Sequence, residues 1–408
     1  MRIESVKRGT SVFENAVKVE FEDLGSSTYD WIYLRDNCPC SECQHVQTKQ
    51  RVFDIFNTLS NKPGKDLETS LKRVEQYLAD SDFQIMNSKL VCNWSDSHIS
   101  EFDEKWLLQH SYEPKLTSKS RKIIPNIRTW GSHEFWQLNS DGTGVNSYDR
   151  LTHELPQIFE QIHVNGFAFI QNVPVTLEST ERVSAAISII RPTHYDPCVW
   201  DFTSDLAKND TAYTSLAIDM HVDGTYWNEP PGYQLFHLLE HTNGEGGDTR
   251  IVDVAKILEI LVIKAAADRS WQKTLQVLSE QPLVFHQSGD SNQEFEQDSF
   301  PTLTLAKDGS LVQCRWNTSD RAAFIEPLPR FTVADIYQAL FRFNALINNP
   351  DNYVQFKMEP GKIFVFDNWR VLHARTAFTG YRRLCGSYLT RDDFMARFKS
   401  CYPNSHDA

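Results

Sequence analysis

The distribution of apolar and polar side chains predicts a chain whose core is built from strands. Residues 1–35 alternate apolar and polar positions, first at Val17, Val19 and Phe21 and then at Trp31 and Tyr33, which is typical of short antiparallel strands. Shorter apolar runs bounded by turn residues continue along the chain. They predict strands at residues 90–94, 167–170, 212–222, 232–240, 249–254, 362–366 and 383–388.

Helical periodicity fills the intervals between these strands. One helix is predicted from Asp149 to Asn165, because Gly166 is a natural C-terminal stop. Gly244, Gly246 and Gly247 predict a hairpin between two strands. Further helices are predicted at residues 102–108, 180–190, 255–278 and 333–347. Central strands with helices outside them favour a mainly β fold, a double-stranded β-helix or jelly roll with flanking helices.

Two polar stretches suggest where this fold begins. Residues 115–122 are polar and basic, and residues 139–146 are rich in Gly, Asn and Asp. We predict a small N-terminal β domain over residues 1–115, a linker over residues 116–146 and the jelly-roll domain over residues 147–408.

Composition excludes several classes of function. With 40% hydrophobic and 23% charged residues, the chain resembles an ordinary globular protein. Its net charge of −13 argues against nucleic acid as a partner and is compatible with a cationic ligand. No apolar run approaches the roughly 20 residues that cross a bilayer, so no membrane partner is expected. The N-terminus lacks the features of a signal or transit peptide, so we expect a cytoplasmic protein, with the mitochondrial matrix as the alternative.

A cluster of cysteines predicts a metal site in the N-terminal domain. Cys38, Cys40 and Cys43 lie within six residues, in a chain where disulfides are not expected. Thiolates this close together converge readily on one tetrahedral zinc ion. A fourth ligand is needed, and the candidates are His45, Cys92 and His98.

A second candidate metal site consists of His221, Asp223 and the distant His373. The first two lie two residues apart, which places both on one face of an extended strand. Two imidazoles and a carboxylate suit Fe(II), with three coordination positions left open for a co-substrate and dioxygen; zinc is the alternative ion. A competing pair within residues 194–196 is less favourable, because Pro197 interrupts any strand there.

Arg382 and Arg383 follow His373 by nine and ten residues, at the head of a predicted strand. A keto-acid co-substrate that chelates the metal needs an arginine for its far carboxylate. The Thr249 hydroxyl could donate to the same carboxylate. Either arginine alone could instead form a surface ion pair.

Four motifs carry a family resemblance: residues 221–226 (HVDGTY), 230–232 (PPG), 246–249 (GGDT) and 367–373 (DNWRVLH). With the cysteine cluster, they resemble the γ-butyrobetaine and trimethyllysine hydroxylases, Fe(II)/2-oxoglutarate dioxygenases of carnitine biosynthesis, over nearly the whole chain. The resemblance implies zinc at Cys38, Cys40, Cys43 and His98, iron at His221, Asp223 and His373, and 2-oxoglutarate at Arg382 rather than Arg383.

The resemblance also implies a trimethylammonium substrate. Such a cation cannot donate hydrogen bonds, so aromatic faces must hold it. Residues 202–205, 210–214, 379–382 and 388–393 resemble the trimethyllysine branch. Asp210 stands where the butyrobetaine branch has Asn, and it could pair with the α-ammonium of trimethyllysine. The implied cage residues are Trp200, Tyr213 and Tyr388, with Tyr195 nearby.

The expected activity is hydroxylation of trimethyllysine at C3, coupled to conversion of 2-oxoglutarate and dioxygen to succinate and carbon dioxide. We expect ascorbate to support turnover, and the family leads us to expect a homodimer. One alternative is a γ-butyrobetaine hydroxylase. Others are a catalytically inactive, zinc-stabilised interaction protein and a zinc hydrolase, although a hydrolase would not need an arginine after His373.

Overall fold

The computed structural model describes residues 2–7, 15–60, 67–116, 124–140, 145–194, 196–203, 214–287 and 294–402. The chain divides into two units, residues 1–123 with 403–408 and residues 124–402. The second unit therefore takes in residues 124–140, within the range that the sequence assigns to a linker. Trp130 and Phe135 explain why, since both are buried in a hydrophobic cluster of the second unit.

The first unit contains two three-stranded antiparallel sheets, each formed by strands consecutive in sequence. Its strands are β1 (Arg2–Lys7), β2 (Ala16–Phe21), β3 (Gly25–Asp30), β4 (Asp82–Met86), β5 (Lys89–Asn93) and β6 (Ile99–Asp103). Its helices are α1 (Trp31–Asp36), α2 (Ile55–Ser60), α3 (Leu67–Ala79) and α4 (Glu104–Gln109). Apolar residues of both sheets and of α1 share one buried cluster.

Helix α1 replaces a predicted strand. The apparent alternation at Trp31 and Tyr33 suggests extended chain, but the buried positions are Trp31, Leu34 and Arg35. That spacing of three and four residues is helical. Alternation over only two apolar positions was too short to separate the two periods.

The second unit is mainly β, with helices around two main sheets that are antiparallel except for the parallel pair β7 and β8. Its strands are β7 (Val145–Ser147), β8 (Phe167–Gln171), β9 (Trp200–Thr203), β10 (Ile218–His221), β11 (Tyr233–Thr242), β12 (Thr249–Asp253), β13 (Phe285–Gln287), β14 (Phe295–Gln297), β15 (Leu303–Leu305), β16 (Leu311–Cys314), β17 (Tyr353–Phe356), β18 (Ile363–Asp367), β19 (Val371–Arg375) and β20 (Tyr381–Leu389). Its helices are α5 (Ser132–Ser140), α6 (Leu151–Asn165), α7 (Leu177–Ile187), α8 (Val254–Ala267), α9 (Arg269–Glu280), α10 (Val333–Ile347) and α11 (Arg391–Ser400), with a 3-10 turn at Tyr148–Arg150.

The two main sheets enclose a shared core. The larger has the order β7-β8-β18-β11-β20-β9 and the smaller β10-β19-β12-β17. Phe364 and Phe366 of the larger sheet share a buried cluster with Ile251 and Val354 of the smaller one. Helices α6, α7 and α11 cover the other face of the larger sheet, and α8, α9 and α10 pack beside the smaller one. Strand β18 is therefore buried on both faces, which accounts for its apolar sequence from Ile363 to Phe366.

The connection between β11 and β12 is a crossover between the sheets, so the hairpin predicted there is wrong. Strand β11 pairs with β18 and β20, whereas β12 pairs with β17 and β19. The glycines serve a close backbone approach instead. Gly246 has a φ of +79°, and a Cβ on Gly244 would lie 1.8 Å from the Thr379 carbonyl oxygen.

The helix predicted over residues 255–278 is two helices. Asp268 has extended backbone angles, and its side chain accepts a hydrogen bond from the Ser270 N–H as the N-cap of α9. The cap pairs a backbone N–H at the start of the second helix, and the extended residue Asp268 separates the two helices. None of the helices in the described ranges combines the length and apolarity needed to cross a membrane.

A buried ion pair joins the smaller sheet to the helical layer. Arg370 donates to both carboxylate oxygens of Asp253, at 2.9 and 2.8 Å, and to the backbone oxygens of Val164 and Arg128. Asp253 also accepts from the N–H of Ala255, at the start of α8. The pair is almost fully buried, so losing one partner would leave the other charge uncompensated.

We predict that Arg370→Ala lowers the free energy of unfolding by about 3–5 kcal/mol, because Asp253 would remain charged and buried. Urea denaturation followed by fluorescence measures this. Arg150→Ala is the matched control, since Arg150 is exposed and its i,i+4 pair with Glu154 is worth about 0.3–0.5 kcal/mol. Similar small losses in both variants would contradict the structural role of the pair.

Candidate functional site

Strand pairing brings the two distant histidines together. His221 ends β10 and lies opposite His373 of β19 in the antiparallel register. Asp223 follows two residues later, with its Oδ1 atom 3.1 Å from His221 Nε2 and 3.8 Å from His373 Nε2. The three side chains offer one ligand atom each, all within 4.8 Å of one another.

This arrangement fits a metal ion held on one face of an octahedron. Two ligands at right angles on an ion, each bonded at roughly 2.1 Å, lie about 3.0 Å apart. The His221 Nδ1 atom is 2.7 Å from the Asp219 carbonyl oxygen, to which it donates. That hydrogen bond leaves the lone pair of Nε2 facing the other two ligands.

The charges at this site suit a cation. Burial and the charge of His221 lower the pKa of His373 to about 3, so this imidazole is neutral. Burial raises the pKa of Asp223, but contacts with His221 and His373 outweigh burial and hold it well below its usual range. Burial lowers the pKa of His221, but the hydrogen bond with Asp223 and the negative charge of that carboxylate have a larger, opposite effect. The pKa of His221 is therefore raised overall. A carboxylate beside two imidazoles is a donor set for a divalent ion.

Asn368 holds the backbone of Asp223 in place. Its Oδ1 atom accepts from the Asp223 N–H at 3.1 Å, and its Nδ2 group donates to the carbonyl oxygens of Asp223 and Pro231. Asn368 is fully buried, and it lies in the turn that leads from β18 into the strand of His373. One amide thus joins the chain segments that carry the ligands.

The side chain of Asp223 is held as well. Its Oδ2 atom accepts from Gln234 Nε2 at 2.6 Å and from the Tyr388 hydroxyl at 2.8 Å. Both donors come from the larger sheet, where Gln234 of β11 and Tyr388 of β20 are register partners. The carboxylate therefore turns Oδ1 toward the histidines.

The three side chains line a cavity of about 160 Å³ that also contains Arg382 and Thr249. Arg382 is 6% exposed, and burial together with the charge of Arg375 lowers its pKa to about 10, so it stays charged at neutral pH. Within the described ranges, no acidic side chain forms an ion pair with it. Gly247 makes room for this side chain, because a Cβ there would lie 3.2 Å from Arg382 Nε. A buried cation at a cavity wall is a binding site for an anion.

The neighbouring arginine has a different role. Arg383 points away from the cavity and forms a bidentate pair with Asp201, with its Nε and Nη2 atoms donating to the carboxylate. Its side chain is 38% exposed. Alternation along β20 therefore sends one arginine inward and its neighbour to the surface.

Two of the candidate cage residues lie on the same cavity. Trp200 is 2% exposed and stacks on Phe202 at a centroid distance of 4.4 Å. Its ring lies 6.2 Å from that of Tyr388. Both rings belong to the larger sheet and line the cavity near the histidines. The other sequence-predicted positions, Tyr195, Asp210 and Tyr213, lie outside the described residues.

The competing pair at residues 194–196 lies elsewhere. His194 packs against Phe295 and Trp227, at centroid distances of 4.8 and 5.7 Å. Asp196 accepts from the Cys198 N–H in a local turn. Within the described ranges, neither residue belongs to a group of three metal-binding side chains.

The first unit contains the second ligand cluster. His98 Nε2 lies 3.3, 3.6 and 3.5 Å from the sulfur atoms of Cys38, Cys40 and Cys43. Ligands at about 2.3 Å (sulfur) and 2.05 Å (nitrogen) from a tetrahedral zinc ion lie roughly 3.5 Å apart. The turn at residues 95–97 brings His98 to the cluster.

The other candidates for a fourth ligand have different surroundings. His45 Nδ1 accepts from the Thr48 N–H, and Cys92 is fully buried in the apolar cluster of the first unit. Burial raises the pKa of Cys38 to about 12, so a nearby positive charge is needed to make it a thiolate. Arg35 donates to Cys43 Sγ at 3.3 Å and supplies one such charge from the protein.

Three residues around the cavity were missed in the sequence. Gln234 is a polar residue between the apolar Tyr233 and Leu235 in the buried first part of β11, and that anomaly was a usable signal. Asn368 lay inside a quoted motif without a role. Arg375 donates to the carbonyl oxygens of Thr214 and Leu216, which come soon after the candidate cage residue Tyr213 in the sequence. It lies two residues after His373, and nothing in the sequence distinguished it.

We predict that Asn368→Asp lowers the free energy of unfolding by at least about 1–3 kcal/mol, because an acceptor replaces the donor that serves two buried carbonyl groups. Urea denaturation measures the change. Asn349→Asp is the control. Asn349 is exposed, and its Oδ1 atom accepts from the backbone N–H of Asp351, a contact that a carboxylate at position 349 can also make. The control should change stability by less than about 0.5 kcal/mol. Equal effects in the two variants would contradict the bridging role.

Comparison with known proteins agrees with this geometry. The model of the taurine catabolism dioxygenase TauD, TfdA family matches residues 131–388, and that of the γ-butyrobetaine hydroxylase-like N-terminal region matches residues 11–108. The chain is 37% identical to the trimethyllysine dioxygenase of Meyerozyma guilliermondii, covering 95% of this chain and 94% of that one. It is 34% identical to the mitochondrial trimethyllysine dioxygenase of Homo sapiens, over 90% and 81%.

The γ-butyrobetaine dioxygenase of Homo sapiens is more distant, at 26% identity over 94% of this chain and 93% of that protein. The matched family model spans the cavity, including the histidines, Asp223 and Arg382. The protein is thus a dioxygenase that belongs to the TauD/TfdA family and, within it, to the group of the trimethyllysine dioxygenases.

Proposed function

We propose that this enzyme uses Fe(II) and 2-oxoglutarate to hydroxylate C3 of N6,N6,N6-trimethyllysine, the first step of carnitine biosynthesis. The observation that carries the proposal is the presence of Arg382 in the same cavity as His221, Asp223 and His373. A three-ligand site with a buried arginine suits a dicarboxylate that chelates the metal at one end and binds a cation at the other. The two sheets then correspond to the double-stranded β-helix expected from the sequence.

The chain's own residues provide binding, orientation and exclusion of water. His221, Asp223 and His373 would hold Fe(II). When bound, this ion would activate dioxygen for the oxidation of 2-oxoglutarate to succinate and for the hydroxylation of the substrate. Arg382 binds the far carboxylate of 2-oxoglutarate, and Thr249 adds a hydroxyl donor on the cavity wall. Arg315 resembles Arg382 in burial but donates to the carbonyl oxygens of Thr225, Trp227 and Asn228, so it has no comparable capacity for a ligand.

The apolar wall of the cavity suits the other end of the substrate. Trp200 and Tyr388 present aromatic rings that can hold a trimethylammonium group by cation–π attraction. We assign Tyr195 and Tyr213 to the same cage and Asp210 to the α-ammonium group, from the family resemblance. Fixing the cation fixes the distance from C3 to the metal, which is how positioning contributes to rate.

The rival functions differ in what they require of the site. An inactive interaction protein does not require a charged arginine buried at the cavity, and a zinc hydrolase has no need of one. A γ-butyrobetaine hydroxylase requires the same metal site and cage but has no α-ammonium group to bind. The higher identity to trimethyllysine dioxygenases favours trimethyllysine.

We predict that the purified protein with Fe(II), 2-oxoglutarate and ascorbate forms succinate and a hydroxylated product when trimethyllysine is added. Mass spectrometry of both products measures turnover and coupling. We expect γ-butyrobetaine to be turned over at least about tenfold more slowly, because the amino-acid end contributes binding that γ-butyrobetaine lacks. Equal or faster turnover of γ-butyrobetaine would overturn the substrate assignment.

His221→Ala and His194→Ala form the control pair for the ligand assignment. Each removes an imidazole from a His-x-Asp motif, but His194 packs among aromatic rings away from the site. His221→Ala should abolish turnover, whereas His194→Ala should retain it. The reverse pattern would show that the wrong pair had been assigned to iron.

We further propose that Cys38, Cys40, Cys43 and His98 bind a structural zinc ion in an N-terminal zinc domain, separate from the catalytic domain. The distances within the cluster support this, as does Arg35, which offsets part of the negative charge of three thiolates. Closed four-ligand sites of this kind contribute directly to folding. Zinc would therefore stabilise the first unit without taking part in the reaction.

We predict that the double variant Cys40→Ser/Cys43→Ser loses zinc and unfolds at lower temperature, while the native protein retains zinc after iron is removed. Elemental analysis and thermal unfolding measure the two effects. Cys198→Ser/Cys401→Ser is the control, because both cysteines are exposed and lie outside the cluster. A native protein without zinc, or a control that loses it too, would contradict the site.

The remaining assignments follow from the family. We propose that ascorbate supports turnover and that the protein forms a homodimer. For the compartment, the cytoplasm remains our expectation, but the mitochondrial designation of the human and bovine relatives favours the alternative, the matrix.

A further inference from the structure

Gln234 makes an unusual contact for a residue in the buried first part of strand β11. Its side chain is 1% exposed, and its Nε2 group donates to Asp223 Oδ2 at 2.6 Å. Neighbours Tyr233 and Leu235 face the helical layer, so Gln234 faces the cavity on the other side of the sheet. An amide in this position takes the place of an apolar side chain on the buried wall of the cavity.

The other end of the amide, the Oε1 atom, does not explain why a glutamine occupies position 234. Gln234 Oε1 is buried and accepts no hydrogen bond from the side chains and backbone within the described ranges. A buried acceptor left in this state costs free energy, so packing alone would favour leucine here. The hydrogen bond to Asp223 is the contact that compensates.

Tyr388 supplies the second donor to the same oxygen. Its hydroxyl lies 2.8 Å from Asp223 Oδ2, while its ring faces the cavity beside Trp200. Because Gln234 and Tyr388 are register partners on adjacent strands, the two donors are fixed relative to each other by the sheet. Asp223 Oδ2 is thus occupied from the protein side, and Oδ1 faces the histidines.

We propose that Gln234 is a positioning residue that, with the Tyr388 hydroxyl, reserves one oxygen of Asp223 and so restricts this carboxylate to a single metal bond. The inference rests on the proposed iron site. A carboxylate bound through both oxygens would occupy a fourth position of the octahedron. The keto-acid needs two positions and dioxygen one, so a single-oxygen ligand keeps all three available.

The same contacts orient the ligand before any ion arrives. Two donors on Oδ2 limit rotation of the carboxylate, so less freedom is lost when the ion binds. Loss of an outer hydrogen bond to a metal ligand typically weakens metal binding by about 10–100-fold. The inference therefore predicts effects on metal affinity and coordination that a purely structural glutamine would not produce.

The test uses Gln234→Leu, which removes the donor at similar volume, and Tyr388→Phe, which removes the hydroxyl but keeps the ring. Co(II) is titrated into protein that has been stripped of iron but retains zinc at the cysteine cluster, with the dissociation constant and the visible absorption spectrum as readouts. We expect each variant to bind Co(II) about tenfold or more weakly. We also expect the cobalt absorption of Gln234→Leu to change shape, because Asp223 can then offer both oxygens.

Gln355→Leu is the matched control. Gln355 Nε2 donates to Asp248 Oδ2 at 2.7 Å, the same type of contact, on an exposed residue of the smaller sheet. This variant should bind Co(II) with unchanged affinity and spectrum. An equal loss in Gln355→Leu would overturn the inference, because the effect would then follow from any lost amide contact.

The remaining outcomes separate a failure of this inference from a failure of the proposed function. Unchanged affinity and spectrum in Gln234→Leu and Tyr388→Phe, with a native protein that binds Co(II), would overturn the inference and leave the proposed function intact. A native protein that binds no Co(II) at this site would overturn the proposed function itself. If Gln234→Leu does not fold, Tyr388→Phe decides alone, because it removes one oxygen atom and retains the aromatic packing.

Discussion

The functional site depends on the pairing of two short strands. His221 and His373 are separated by about 150 residues of chain, and they meet because β10 and β19 pair with these two residues opposite each other. A shift of one residue would turn one imidazole to the other face of the sheet. The smaller sheet fixes this register through β12, which pairs with β19 on its other edge. Register is therefore the constraint from which the metal geometry follows.

The third ligand needs a different kind of support, because Asp223 lies beyond the end of its strand. Asn368 holds its backbone, and Gln234 and Tyr388 hold its side chain, so hydrogen bonds replace strand pairing as the source of rigidity. All three supports are buried polar groups. Such groups are costly unless satisfied, and here that cost is offset by fixing a carboxylate at the junction of both sheets.

The sequence predicted the candidate metal ligands better than it predicted the topology around them. Residue types and spacing were enough to propose the three cysteines and the set of His221, Asp223 and His373 as candidate ligands, but the choice of His98 as the fourth ligand of the cysteine cluster came from the family resemblance. They were not enough for the topology around the sites. The glycines near residue 245 indicate a tight turn in either case, but whether two strands pair or cross to different sheets depends on partners more than 100 residues away. Two of the three supports of Asp223, Asn368 and Tyr388, are long-range contacts of the same kind.

The two arginines after His373 show how a local rule and a long-range environment combine. Spacing from the histidine allows either one to reach the co-substrate. Strand alternation dictates that Arg382 and Arg383 point to opposite faces, but it does not say which face is the cavity. That follows from the position of β20 beside β11, which turns Arg382 inward and leaves Arg383 to pair with Asp201. Burial then makes Arg382 selective: a charged side chain that lacks an acidic partner in the described ranges gains most from a carboxylate brought by a ligand.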